Sequence, residues 1–369
     1  MLKFPVLPLT LALLGMGSAL PAAAKIKETI VYVREGKSVE LRCSHEESGK
    51  TMDCPEATMK RELGRKPVEI AFNQNDFAEL DAIFERVMSG EARFADGASY
   101  LTQYEMALAG NFDHWKTWDN LASIKKWQTT RPGSSAAIFA EAIYWQRAAW
   151  HARGGGYAQT VTPEGWAMFK ERLDKSHACM EKLRPIAKRF PAWYAFKISL
   201  AIDQDQREEM RAVFEEGAAV HPAFYPIYME MSRSYEPKWG GDAASFEQFA
   251  RETVKLAKGF EGRGLYARMF WSADTAHSLP LMGPDSQVPS WTALNAGFAD
   301  LMQRYPDNHN ILNRYASYAC RANDGALYRK LRTRLGDYLD EAHFEIVPVD
   351  VCDRRFKWHA PAKPATVKG

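Results

Sequence analysis

From Asn75 to Ala322 the chain keeps apolar residues at helical spacing, and this rhythm constrains the fold more than any other feature. Phe77, Leu80, Phe84 and Val87 fall on one helical face, and Gly90 stands where that helix should end. Thr162-Pro163 supplies a hydroxyl N-cap followed by proline at the tolerated first position. Trp166, Phe169, Leu173, Met180 and Leu183 then line one face until Pro185. Phe224, Tyr228, Met231 and Tyr235 repeat the pattern, as do Phe246, Phe249, Ala250, Val254 and Ala257, and finally Ile311, Tyr315, Tyr318 and Ala322. Stripes of this kind are core, and need no ligand to explain them.

The helices also come in register. Phe190-Pro191-Ala192-Trp193-Tyr194 is echoed 31 residues on by His221-Pro222-Ala223-Phe224-Tyr225, and Tyr305-Pro306 gives a weaker third instance. Each opens a helix, and the first leads through Asp203-Gln204-Asp205-Gln206 into a second helix near Ala219. A helix pair cannot bury its apolar face alone, so neighbours must stack. The expected fold is therefore mainly α, a TPR-like or α-α superhelical array of helix pairs over residues 75–340, with a C-terminal extension over 341–369 ending in a disordered basic tail.

The beginning of the chain reads differently. Residues 1–24 carry one charge, Lys3, then an uncharged stretch around Leu9 to Leu14, then Ala22-Ala23-Ala24. That order is a secretory signal peptide cut after Ala24, giving a periplasmic or secreted protein with no membrane span after cleavage. Residues 25–74 form a small β-containing segment. Thr29–Arg34 and Ser38–Arg42 flank Glu35-Gly36-Lys37 as a hairpin, and Val68–Phe72 reads as a further short strand. Cys43 and Cys54 bracket a segment rich in turn formers, and in an exported chain they are expected to form a disulfide. A metal site of Cys43, His45 and Cys54 lacks a fourth ligand. Cys179, Cys320 and Cys352 are odd in number, so at least one stays unpaired internally; Cys179, beside Met180, reads as a buried small hydrophobe.

Chemistry is hard to find. The 48 Lys and Arg nearly balance 46 Asp and Glu, so no global charge draws the chain to nucleic acid. His-Glu-x-x-His, Gly-x-Ser-x-Gly and a phosphate-cradling loop are absent. Asp203-x-Asp205 starts like a calcium loop but continues with Glu208 and Phe214 where glycine and glutamate belong. Glu341, His343 and Glu345 alternate as they would on a strand, although an exposed helix end gives the same letters. No metal and no cofactor is expected.

Three turns stand out: Trp127 through Pro132 to Ser134, then Trp150-His151-Ala152-Arg153-Gly154-Gly155-Gly156, then Glu236-Pro237-Lys238-Trp239-Gly240-Gly241-Asp242. Glycines there supply caps and close backbone approach, and each Trp can anchor a helix junction. On these residues the chain resembles a bacterial family known as a domain of unknown function with TPR-like helices. Its pattern is a Trp followed by Pro-x-Ser, then Ala-Arg-Gly, then Pro-[Lys/Arg]-Trp-Gly-Gly. The resemblance runs over about residues 75 to 275, departing by the Gly between Pro132 and Ser134, and implies a fold without an activity. It marks Arg153 and Trp239 as candidates for a shared pocket. The binding candidates are Trp127, Ser134, Glu141, Tyr144, His151, Arg153, Gly154, Lys238, Trp239 and Gly240. The expected function is a non-enzymatic envelope protein holding a peptide or protein partner on its repeat surface. The alternatives are an envelope hydrolase using Glu141, His151 or Arg153, and a secreted effector or inhibitor.

Overall fold

The computed structural model describes residues 26–33, 38–45, 49, 51–52, 54–113, 117–257, 259–275 and 288–359. The expected signal peptide, its expected cleavage site and the end of the basic tail lie outside them. Strands β1 (Ile26–Val33) and β2 (Ser38–His45) pair antiparallel, with Thr29 opposite Arg42, and β2 also pairs with the two-residue β3 (Thr51–Met52). The hairpin expected from sequence is present, and the Cys43–Cys54 disulfide ties β2 to the start of the helices.

Among the described residues the helices begin at Glu56. Helix α1 (Glu56–Met59) runs through one wide turn into α2 (Lys66–Asn73), followed by α3 (Phe77–Val87). The strand expected at Val68–Phe72 is thus a helix. Val68, Ala71 and Phe72 are buried at helical spacing, and Pro67 sits in the first turn where it costs no hydrogen bond. Alternation over five residues could not tell a short strand from a helical turn.

Then come α4 (Tyr100–Phe112), α5 (Thr117–Thr130), α6 (Ser135–Arg153), α7 (Pro163–Leu183), α8 (Ala192–Asp203), α9 (Arg207–Val220), α10 (Pro226–Arg233) and α11 (Ala243–Leu256). The series ends with α12 (Gly264–Thr275), α13 (Trp291–Arg304), α14 (His309–Arg321), α15 (Gly325–Leu335) and α16 (Val349–Arg355). Consecutive helices pack as antiparallel pairs, α6 on α7, α8 on α9, α12 on α13 and α14 on α15. Neighbouring pairs stack through α4, α6, α8 and α10, which follow one another side by side. The fold is the helix-pair array expected from the apolar stripes.

Local signals behave as their chemistry requires. Ser134, Thr162 and Asp242 each cap the helix that follows, Asp242 within a capping box completed by Ser245. Of the 31-residue echo only the first Pro opens a helix directly: Pro191 is the N-cap of α8, whereas Pro222 lies in the turn before α10, which starts at Pro226. One aromatic seam, Phe84–Phe190–Phe139–Phe196, runs edge-on through α3, α6 and α8. A second disulfide joins Cys320 of α14 to Cys352 of α16, leaving Cys179 free and buried. Glu341–Phe344 is a 3-10 turn, so Glu341, His343 and Glu345 do not share a strand face. Among the described residues no helix is long and apolar enough to cross a membrane.

Candidate functional site

The first cluster of candidates is built around Asp81 of α3. Its Oδ1 accepts from the Trp127 indole at 3.1 Å and from the Ser134 hydroxyl at 2.5 Å, and its Oδ2 accepts from Arg131. Trp127 is fully buried and stacks on Phe77 at 5.7 Å. The Trp-to-Ser turn is therefore a knot that fixes the α5–α6 junction against α3. Sequence reading missed Asp81 because its partners lie about fifty residues away.

Glu141 is buried and faces α5. It accepts from Lys125 and Gln128, both at 2.6 Å, and from Trp145 at 3.1 Å. Burial opposes its charge, but these bonds outweigh burial and hold its carboxyl below the usual range. Tyr144 is core, edge-on to Phe112. His151 is exposed. On a straight helix ten residues separate Glu141 from His151 by about 15 Å, so Glu141, His151 and Arg153 do not converge on one pocket.

Arg153 and Trp239 do come close, through Trp150. The Arg153 guanidinium lies between Trp150 at 5.2 Å and Trp166 at 5.1 Å, and donates to the carbonyls of Gly154 and Gly156. Gly154 carries φ 75°, the conformation that ends α6. Trp239 meets Trp150 edge-on at 6.3 Å, and Arg233 stands over Trp239 at 5.7 Å. The order is Trp166, Arg153, Trp150, Trp239, Arg233, with cations at aromatic faces.

Behind this row lies a polar network that joins α6, α8 and α10. Asp203 Oδ2 accepts from Trp150 at 2.9 Å and from Gln146 at 3.0 Å, and Arg233 reaches Oδ1 at 3.5 Å. Arg233 also donates to Ser199 at 2.9 Å and to Glu230 at 2.7 Å. Burial raises the Asp203 pKa, with Arg233, Trp150 and Gln146 opposing. Nearby Glu105 of α4 is pushed up to about 8, by burial first and Glu230 second. Asp203 had a sequence signal, as the start of the rejected calcium loop; Gln146, Glu105 and Arg233 had none.

The Pro-Lys-Trp-Gly-Gly turn caps this network. Lys238 pairs with Glu236 at 3.0 Å, Gly240 takes φ 87°, and a Cβ at Gly241 would collide with the Tyr235 carbonyl. Trp239 is partly buried, and its indole N–H has no hydrogen-bond partner among the described residues. On its other side the same turn walls a pocket of about 310 Å³, floored by Ala201, Ile202, Met210 and Met231.

His177, Glu181 and Glu209 gather ligand atoms within 4.8 Å of one another. The buried Lys197 ammonium occupies their midst, 2.8 Å from Glu181, 2.6 Å from Glu209 and 3.1 Å from His177. A lysine thus supplies the positive charge that a metal would bring.

No curated protein and no solved structure matches the chain. The stretch holding Asp81, Trp127, Ser134, Arg153 and Asp203, residues 68–206, matches a family described as a domain of unknown function (DUF4034).

Proposed function

We propose that the chain is an exported, non-enzymatic binding protein of the bacterial envelope that holds a peptide or protein segment on its helix-pair surface. The observation that carries this reading is the 310 Å³ pocket beside Trp239, an apolar cup set where two helix pairs meet. Two disulfides among the described residues support export, because such bonds persist in oxidising compartments. Trp127, Ser134, Glu141 and Tyr144 act as scaffold in this reading, while Arg153, Gly154, Lys238, Trp239 and Gly240 shape the recognition surface. The test is retention of envelope proteins on immobilised residues 25–369, competed by peptides cut from whatever is retained. Saturable, competed retention is expected; retention that no peptide displaces sinks the reading.

A hydrolase is the second reading, favoured by one observation. Glu105, held neutral up to about pH 8, stands near Glu230, a juxtaposition suited to acid–base work. Turnover of peptidoglycan or peptide substrates by wild type, abolished in Glu105→Gln, would establish it.

A further inference from the structure

A second cavity, of about 940 Å³, opens where the N-terminal strands meet the end of the helical series, and it shares no lining residue with the pocket beside Trp239. One wall comes from β2, β3 and the start of α1, the other from the α13–α14 turn and the segment after α15. Its size lies within the roughly 300–1,000 Å³ of small-ligand sites, which favour junctions between structural units.

The charges around it are mixed. Arg42 and Arg304 line it together with Glu56, Asp307 and Asp340. Behind these carboxyls, Lys60 acts on Glu56 against Asp96, and Arg314 acts on Asp340. Burial first, then Arg314, bring the His343 pKa down to about 4, so its imidazole is neutral. An anion meets carboxylates here and a cation meets guanidiniums. The cavity therefore favours a neutral ligand.

Its unspent polar groups include both donors and acceptors. The Asn310 amide, the Thr51 hydroxyl and the Asp307 carboxylate line the cavity without a hydrogen bond among the described residues. Asp340 accepts from the Ala342 N–H at 3.0 Å through one oxygen and holds the other 3.6 Å from His343. Asn313, on the same wall, is spent: it donates to the His309 and Tyr338 carbonyls and accepts from the Asp340 N–H. The rings of Tyr338 and His309 stack at 3.6 Å, only 5° from parallel, and both line the cavity. A sugar suits all three features. It is uncharged, its hydroxyls both donate to carboxylates and accept from an amide, and the C–H face of its ring packs on an aromatic surface.

We propose that this cavity binds a neutral oligosaccharide, with one sugar ring packed on the Tyr338–His309 pair and its hydroxyls shared among Asn310, Asp307 and Asp340. The site is separate from the peptide-binding reading above and stands or falls without it.

The experiment is calorimetric titration of the purified protein with chitotriose, maltotriose and trialanine. At least one trisaccharide should bind saturably, and trialanine should not. Binding of chitotriose alone supports the site with an acetamido glycan as its ligand, and binding of maltotriose alone supports it with a glucan. Asn310→Ala removes a side chain that holds nothing else among the described residues. It should weaken the sugar by about tenfold, the upper range for one neutral hydrogen bond, at an unchanged melting temperature. Tyr338→Leu should weaken it comparably by removing the ring; if that variant melts early, Asn310→Ala decides alone. No saturable binding of either trisaccharide at millimolar concentration overturns the proposal. Full affinity in Asn310→Ala places the sugar elsewhere and overturns the site, and trialanine binding as tightly as the sugar overturns the choice of ligand.

Discussion

Trp239 is held by one aromatic edge, one cation and the glycines behind it, and it also walls the pocket, so it serves packing and recognition together. Trp239→Ala should cost about 2–3 kcal/mol, below the ~3–5 of a fully enclosed Trp, because part of the ring is already exposed. Thermal melts beside wild type check this, and an unchanged curve would make Trp239 a purely surface residue. Glu105 gives a second test. Its pKa, raised from 4.5 to about 8, means the native state keeps a proton that the unfolded chain has lost. Stability from this group therefore declines as pH rises from about 4.5 through about 8. Glu105→Gln should flatten that decline and melt above wild type at pH 9; parallel curves across the range would refute it. Single residues were unevenly legible. Arg153 and Trp239 announced themselves through adjacent glycines, whose spacing is local. Asp81, Gln146, Glu105 and Arg233 did not, because what makes them matter is a partner on another helix.

Among elements, the helices with long apolar stripes were readable to within a turn, and caps such as Ser134, Thr162 and Asp242 fell where their hydroxyl or carboxylate chemistry placed them. The failures were short segments. Five residues at Val68–Phe72 carry too little period to separate strand from helix, and Glu341 to Glu345 were settled by packing of Phe344 and not by alternation. The pairing of Cys320 with Cys352 was open in the sequence, since it depends on how α16 folds back on α14. That disulfide closes a longer loop than Cys43–Cys54, a sequence separation of 32 against 11. Loop-closure entropy then assigns it roughly 3–4 kcal/mol and the shorter one roughly 3. Cys352→Ser should accordingly lower the melting temperature at least as far as Cys54→Ser. The reverse order, measured under non-reducing conditions, would mean that the N-terminal segment contributes more to the core than its two short strand pairings suggest.

On the scale of the whole molecule, the two ends of the helical series touch. Lys60 after α1 pairs with Asp96, and Arg268 of α12 grips both the Asp96 carbonyl and Glu261, the latter at 2.5 and 2.8 Å. Arg93 from the same loop donates to the Ala223 carbonyl at 3.0 Å. The Asn308 amide, at the start of α14, donates to Glu56 at 2.8 Å, and its carbonyl oxygen caps α14 through Ile311 N–H at 2.9 Å. A cavity of about 940 Å³ lies at this seam, lined from both ends of the chain. No periodicity in the sequence foretold the contact, because it joins residues some 250 positions apart. Asn308→Asp isolates it: aspartate keeps the N-cap but faces the Glu56 carboxylate with a like charge. At pH 8 the repulsion should cost about 1–2 kcal/mol locally, raising amide exchange in β2 and α1 by about tenfold while α6 to α9 stay protected. Burial, and then Asp96, raise the Glu56 pKa, so acidification protonates this pair earlier than it would free carboxylates and lets one carboxyl donate to the other. The exchange difference from wild type should therefore shrink on acidification. If it is equally large at pH 5, the seam is opened by lost shape and not by charge; if it is absent at pH 8, Glu56 and Asn308 do not hold the two ends together.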